Sequence, residues 1–98
     1  MAPDGDVSVV RDRRRDFGEH IVRIRVLRVP ESSKFPDGIK YGYHFGEKGS
    51  DDPILRYDNH HGTHERHDGS TIEELDEFPG YEALLRRFIR ELPDEYTP

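Results

Sequence analysis

The sequence predicts an α+β domain, a small antiparallel sheet of three to five strands with one C-terminal amphipathic helix packed on one face. Three observations carry that expectation. Val22, Ile24 and Val26 alternate with Arg23, Arg25 and Leu27, a period-two run of β-branched residues. Tyr41, Tyr43 and Phe45 alternate in the same way with Lys40, Gly42 and His44. Tyr81, Leu84, Leu85, Phe88, Ile89 and Leu92 then fall at helical spacing and form a single apolar stripe.

Taken in order, residues 1–16 show no clear period and read as a flexible arm. Val7, Val9 and Val10 would suit a short edge strand, but Pro3, Gly5 and the aspartates fit a loose tail equally well. Arg11, Arg13, Arg14 and Arg15, punctuated by Asp12 and Asp16, make a basic knot, either a solvated arm or a phosphate-contacting one. The single domain is expected over 17–93. Its first strand runs from Glu19 to Val29, where Pro30 removes a ladder donor. Glu31 to Gly38 is a loop of turn formers. Lys40 to Gly46 is the second strand, and Ile54 to Asp58 the third, with Leu55 and Tyr57 on one side and Arg56 and Asp58 on the other. Gly62 marks a turn, and Thr63 to His67 returns as a fourth strand with His67 and Glu65 on one face and His64 and Arg66 on the opposite one. Ile72, Leu75 and Phe78 belong to a short strand or an irregular cover, and periodicity does not choose. The helix spans Gly80 to Leu92, Pro93 stops it, and 94–98 is a tail.

Composition narrows the function classes. Of 98 residues only 32% are apolar and 37% are charged, so the core is small and its ten aromatics supply much of the volume. There is no cysteine, which removes disulfides, thiolate metal sites and thiol catalysis. No apolar run reaches the roughly 20 residues that span a bilayer, so the expected location is the cytoplasm. Net charge is −6, and twelve of the fifteen basic residues are Arg, an acid-rich, Lys-poor balance that suggests a halophilic source. An acidic total disfavours non-specific nucleic-acid binding but leaves room for a local basic site. P-loop, dinucleotide and serine-elbow motifs are absent.

Chemistry concentrates between Arg56 and Gly69. His60, His61, His64 and His67 lie within eight residues, interleaved with Asp58, Asn59, Glu65, Arg66 and Asp68. Histidine titrates nearest neutrality and can move a proton or bind a metal. One reading is metal-free acid–base cleavage of RNA, with His64 and His67 as base and acid, Arg56 or Arg66 facing the phosphate, and Asp58 or Glu65 orienting an imidazole. A second is a divalent site, since His60 and His64, or His61, His64 and His67, would converge on a helix. A third is a non-enzymatic interaction module.

The chain resembles the TumE-type toxin family of prokaryotic toxin–antitoxin systems, its archaeal branch most closely. The likeness covers residues 15–92. It rests on the basic strand ending in Val29-Pro30, the aromatic strand Tyr41 to Phe45, Tyr57-Asp58-Asn59, the segment holding His64 and His67, and Phe78-Pro79-Gly80-Tyr81-Glu82-Ala83-Leu84-Leu85. Where the bacterial pattern carries a Gly-Lys-Gly-Asp-His-Arg-His type run, this chain reads Gly62-Thr63-His64-Glu65-Arg66-His67. The resemblance implies a small toxin acting on RNA or translation, neutralised by a helix-turn-helix antitoxin encoded nearby. The combined expectation is a metal-independent ribonuclease without cofactor. Its catalytic candidates are His64, His67, Asp58, Arg56 and Arg66, and its substrate-binding candidates Arg23, Arg25, Tyr57, Asn59, His60 and His61. A metal-dependent hydrolase and an interaction module remain the alternatives, and a homodimer is compatible with either.

Overall fold

The computed structural model describes residues 7–97; Pro3 and Gly5 of the expected arm and the final Pro98 lie outside the described residues. Six antiparallel strands follow one another in space as they do in sequence: β1 (Ser8–Asp16), β2 (His20–Arg28), β3 (Ile39–Glu47), β4 (Pro53–Asp58), β5 (Glu65–Asp68) and β6 (Thr71–Glu74). One helix, α1 (Tyr81–Glu91), and a 3-10 turn over Asp94–Tyr96 close the chain. The class is the expected α+β. The strand count is not: the sheet has six strands rather than three to five.

The two additions are its edges, and both escaped the periodicity test for one reason. Period-two alternation appears in a sequence only when one face is buried. All but one of the residues of β1, and all those of β6, are exposed. Residues 8–16 are therefore a strand paired along β2, not a loose arm. The C-terminal turn is likewise packed, with the Tyr96 ring 5.1 Å from Phe45, 5.0 Å from His20 and 5.4 Å from Phe17.

The core lies between one face of the sheet and α1. Val22, Ile24 and Val26 from β2, Tyr41, Tyr43 and Phe45 from β3, and Leu55 and Tyr57 from β4 meet Leu84, Leu85, Phe88 and Leu92. Each such side chain withdrawn from water contributes about 1.5–3 kcal/mol, so this layer carries most of the stability of a chain so poor in apolar residues. Gly80 permits the entry to the helix, because it stands at φ 108°, where a side chain is strained. Leu92 is extended and Pro93 cannot continue the ladder, which fixes the helix end.

Polar groups lock the helix on. The Tyr43 hydroxyl donates to the Tyr81 carbonyl at 2.7 Å. Arg66 reaches from β5 to Glu91, Nη2 to Oε2 at 2.8 Å, and its Nε donates to the Tyr57 hydroxyl at 3.2 Å. That hydroxyl donates in turn to the Glu91 carboxylate, and burial with this bond pushes Tyr57 up to about 12. Burial alone would raise Glu91, but the hydrogen bonds from Arg66 and Tyr57 and the nearby charges outweigh it, leaving its carboxyl below the usual range. A depressed carboxylate stabilises the fold above its unfolded pKa, and that contribution is lost as pH falls through the folded value. Glu91→Gln is thus expected to cost about 1–2 kcal/mol at pH 7. The difference from wild type should shrink towards zero in urea melts below about pH 4.

Candidate functional site

The face of the sheet turned away from α1 is built from the alternate residues of the same strands. Arg23 and Arg25 of β2, Gly42 and His44 of β3, Arg56 and Asp58 of β4, and Glu65 and His67 of β5 come side by side through the registers Arg23↔His44, His44↔Arg56, Arg56↔His67 and Asp58↔Glu65. A groove of about 560 Å³ runs over this face. It is lined by the cations Arg14, Arg23, Arg25, Lys40, Lys48 and Arg56 against two carboxylates, Glu47 and Asp51. Arg23, Lys48 and Arg56 are ion-paired to Asp12, Asp16 and Asp58, so on a protein of net charge −6 the local positive field comes chiefly from Arg14, Arg25 and Lys40.

Arg56 is its hub. Nε donates to Asp58 Oδ2 at 2.8 Å, Nη1 lies 3.3 Å from His44 Nδ1, and Nη2 lies 2.7 Å from His60 Nε2. A guanidinium only donates, so both imidazoles must accept at those nitrogens. Each neutral ring then carries its proton on the other nitrogen, Nε2 in His44 and Nδ1 in His60. Burial and the Arg56 charge hold His44 below its usual pKa. Burial also lowers His60, with Arg56 reinforcing and Asp58 opposing the shift. Both rings are therefore neutral at pH 7. In acid they must take up protons that the unfolded chain already binds near pH 6.5, so this pair erodes stability as pH falls through that range.

Asp58 is 4% exposed, and its charge is compensated by Arg56 and by the His60 amide, 3.1 Å from Oδ1. His67 Nε2 stands 3.2 Å from Glu65 Oε1 and 3.7 Å from Asp58 Oδ2. In its neutral form the ring directs its one N–H, at Nε2, to these carboxylates and leaves Nδ1 as the acceptor. Asp58, Glu65 and His67 also offer one ligand atom each within 4.8 Å of one another, enough to hold a divalent cation. The Arg56 guanidinium on Asp58 opposes a second positive charge there.

Gly42 makes the floor under the hub. A Cβ added to it would lie 3.0 Å from Arg56 Nη2 and 3.5 Å from His60 Nε2. Gly42→Ala is expected to displace the guanidinium from His60 with a melting temperature close to wild type, and, if the face cleaves RNA as proposed below, to slow that reaction about tenfold or more. Cleavage rates beside thermal melts check it.

The deciding comparison is with family models: that of the toxin TumE matches residues 3–96, nearly the whole chain. The chain belongs to the TumE toxin family. This toxin is accordingly one half of a toxin–antitoxin system and has a cognate antitoxin as partner. No curated protein and no solved structure matches it. None of its described helices is long and apolar enough to cross a membrane.

Within the toxin, the residues singled out from the sequence divide between the two faces. Arg56, Asp58, His60, His67, Arg23 and Arg25 share the open face. His64 does not: it stacks on Phe78 at 4.1 Å and its Nδ1 is 2.9 Å from the Tyr41 hydroxyl, on the helix side. Arg66 and Tyr57 serve the clamp on Glu91. Asn59 is 5% exposed and continues the edge of β3, its Oδ1 accepting from the Tyr41 amide at 2.9 Å and its Nδ2 donating to the Ile39 carbonyl at 2.8 Å. His61 is exposed at the turn. The spacings that would gather His60, His61, His64 and His67 on a helix fall instead on a turn and a strand, which send them apart. His44 and Lys40 are not among the site residues the sequence offers, although the alternation of β3 puts them opposite the aromatic face, and Arg14 enters there only as part of a possible phosphate-contacting arm. Only the register with Arg56, twelve positions away, gives His44 its place.

Proposed function

We propose that this toxin is a metal-independent ribonuclease whose chemistry sits on the open face of the sheet. The observation that carries the reading is the Arg56 hub, a guanidinium held between two neutral imidazoles on the floor of a basic groove. RNA enters along Arg14, Arg23, Arg25 and Lys40, which neutralise its phosphates. His67 Nδ1 takes the 2′-hydroxyl proton, with Glu65 and Asp58 orienting the ring. The 2′-oxygen then attacks phosphorus and the bond to the 5′-oxygen breaks. Arg56 and the free N–H groups of His44 and His60 stabilise the charge on the phosphorane oxygens. Because those imidazoles are neutral at pH 7, the leaving oxygen takes its proton from water. The products are a 2′,3′-cyclic phosphate and a 5′-hydroxyl. This reading gives Arg66 and His64, candidates on the sequence, no part in the chemistry, since Arg66 is engaged with Glu91 and His64 stacks on Phe78.

The test is a cleavage time course on RNA with purified toxin, with and without EDTA, on substrates with and without the 2′-hydroxyl at the cut site. The expected result is cyclic-phosphate ends, a rate unchanged by EDTA, and no cut without the 2′-hydroxyl. A second reading, a divalent-metal hydrolase, draws on the ligand geometry of Asp58, Glu65 and His67. Cleavage abolished by EDTA and restored by a metal would favour it. No cleavage of any RNA would leave the toxin as a binding module.

A further inference from the structure

RNA cleavage leaves one large feature of the molecule unused, the outer side of β1. It is a nine-residue strand at the edge of the sheet, and among the described residues nothing pairs with its outer backbone groups. Such an edge is a template for another strand unless something blunts it. A bulge between Val9 and Arg11 disturbs its first part, but Arg11 to Asp16 run in unbroken register with β2. The strand carries four arginines in that segment, and Val9 is 60% exposed just before it.

The arginines fall on both sides of the strand. Arg11, Arg13 and Arg15 stand opposite Val26, Ile24 and Val22 and so belong to the helix side; Arg14 stands opposite Arg23 and lines the groove. Arg11 is tied to Glu82 at 3.4 Å. The ion pairs among the described residues include neither Arg13 nor Arg14.

We infer that β1 is the docking edge for the antitoxin, and that an extended acidic segment of that partner adds to it as a seventh strand. Main-chain hydrogen bonds supply affinity in such additions, and alternate side chains supply specificity. A strand added about 4.8 Å outside β1 sends successive side chains to opposite faces. Acidic residues on the helix side meet Arg13 and Arg15, whereas on the groove side Arg14 is flanked by Asp12 and Asp16, so the charge match lies on the helix side.

The alternatives fit less well. A second copy of this chain, paired across β1 with both helices on one side, would bring arginine against arginine there, since Arg11, Arg13 and Arg15 share the helix face. The opposite edge, β6, has only four residues and carries Glu73 and Glu74, which repel an acidic segment. RNA would use the arginines, but neither the exposed Val9 and Val10 nor an open ladder of amides and carbonyls. This inference rests on membership of the toxin family and is independent of the ribonuclease reading.

Amide hydrogen exchange on the toxin alone and in its complex with the cognate antitoxin tests it, together with the antitoxin affinity of Arg13→Glu/Arg15→Glu. Neither residue lines the groove. The expected result is slowed exchange at the amides of 11–16 in the complex. The double variant should bind antitoxin at least about tenfold more weakly, as reversal of two facing charges implies. Protection confined to β6, α1 or the groove floor would overturn the inference, whether or not the variant folds. So would a folded double variant with antitoxin affinity within about twofold of wild type, including one that loses RNA binding instead.

Discussion

Arg56→Lys is expected to lower RNA cleavage by about 10²–10³-fold while the protein stays folded, the range seen when a preorganised donor to a developing oxyanion is lost. Lysine keeps a positive charge beside Asp58, so the buried carboxylate is not abandoned. What it cannot keep is the fork. Arg56 donates in three fixed directions at once, to Asp58, His44 and His60, and through two of these it sets which nitrogen of each imidazole bears the proton. An ammonium is a point charge on a flexible stem and has no such planar geometry. Arg56→Ala is the less informative change, because an unpaired buried carboxylate costs about 3–5 kcal/mol and would mix unfolding with loss of chemistry. Cleavage rates beside thermal melts separate the two effects. A lysine variant that cleaves within about threefold of wild type would show that the fork is dispensable, against the cost expected of a lost oxyanion donor.

Phe88→Ala is expected to destabilise the fold by about 3–5 kcal/mol, the usual cost of emptying a buried aromatic site. Phe88 is fully buried, its ring 5.8 Å from Tyr43 and edge-on to Tyr57 at 6.2 Å, so it joins the helix to both central strands. Domains of this size have about 5–15 kcal/mol in all, so the loss is a large fraction of it. Each kcal/mol moves the midpoint of a domain near this length by about 4–8 °C, giving a fall of some tens of degrees. Urea and thermal melts check this. A loss below about 1.5 kcal/mol would mean that the neighbouring aromatics close over the gap, an outcome outside the usual range.

How much of this was legible in the sequence depended on burial. β2, β3 and β4 each have one buried face, so their alternation stood out and the placing of Tyr41, Tyr43, Phe45, Leu55 and Tyr57 followed. The stripe from Tyr81 to Leu92 did the same for α1. β1 and β6 bury almost nothing, so no period marked them. The site was half visible for a related reason. Sequence proximity gathers His60, His61, His64 and His67, but a strand sends neighbours to opposite faces, and only register brings distant residues together. Proximity pairs His64 and His67 as base and acid, although the strand alternation expected for Thr63 to His67 already puts them on opposite faces, where the fold keeps them. His44 gave no local signal of its link to Arg56, which exists only through pairing of β3 with β4. Tyr57-Asp58-Asn59 has three separate destinations: the core, the open face and the edge of β3.

The central claim is that the chemistry lies on the open face. Comparing RNA cleavage by His67→Ala and His64→Phe tests it most directly. The phenylalanine keeps a ring against Phe78 while removing the imidazole. His67→Ala should lose about 10²–10⁴-fold in rate, as removal of a general base does. His64→Phe, once shown to be folded, should cleave within about threefold of wild type, because its side chain lies on the helix side against Phe78 and Tyr41. Loss of cleavage in folded His64→Phe with activity retained in His67→Ala would place the chemistry on the helix face and contradict the account.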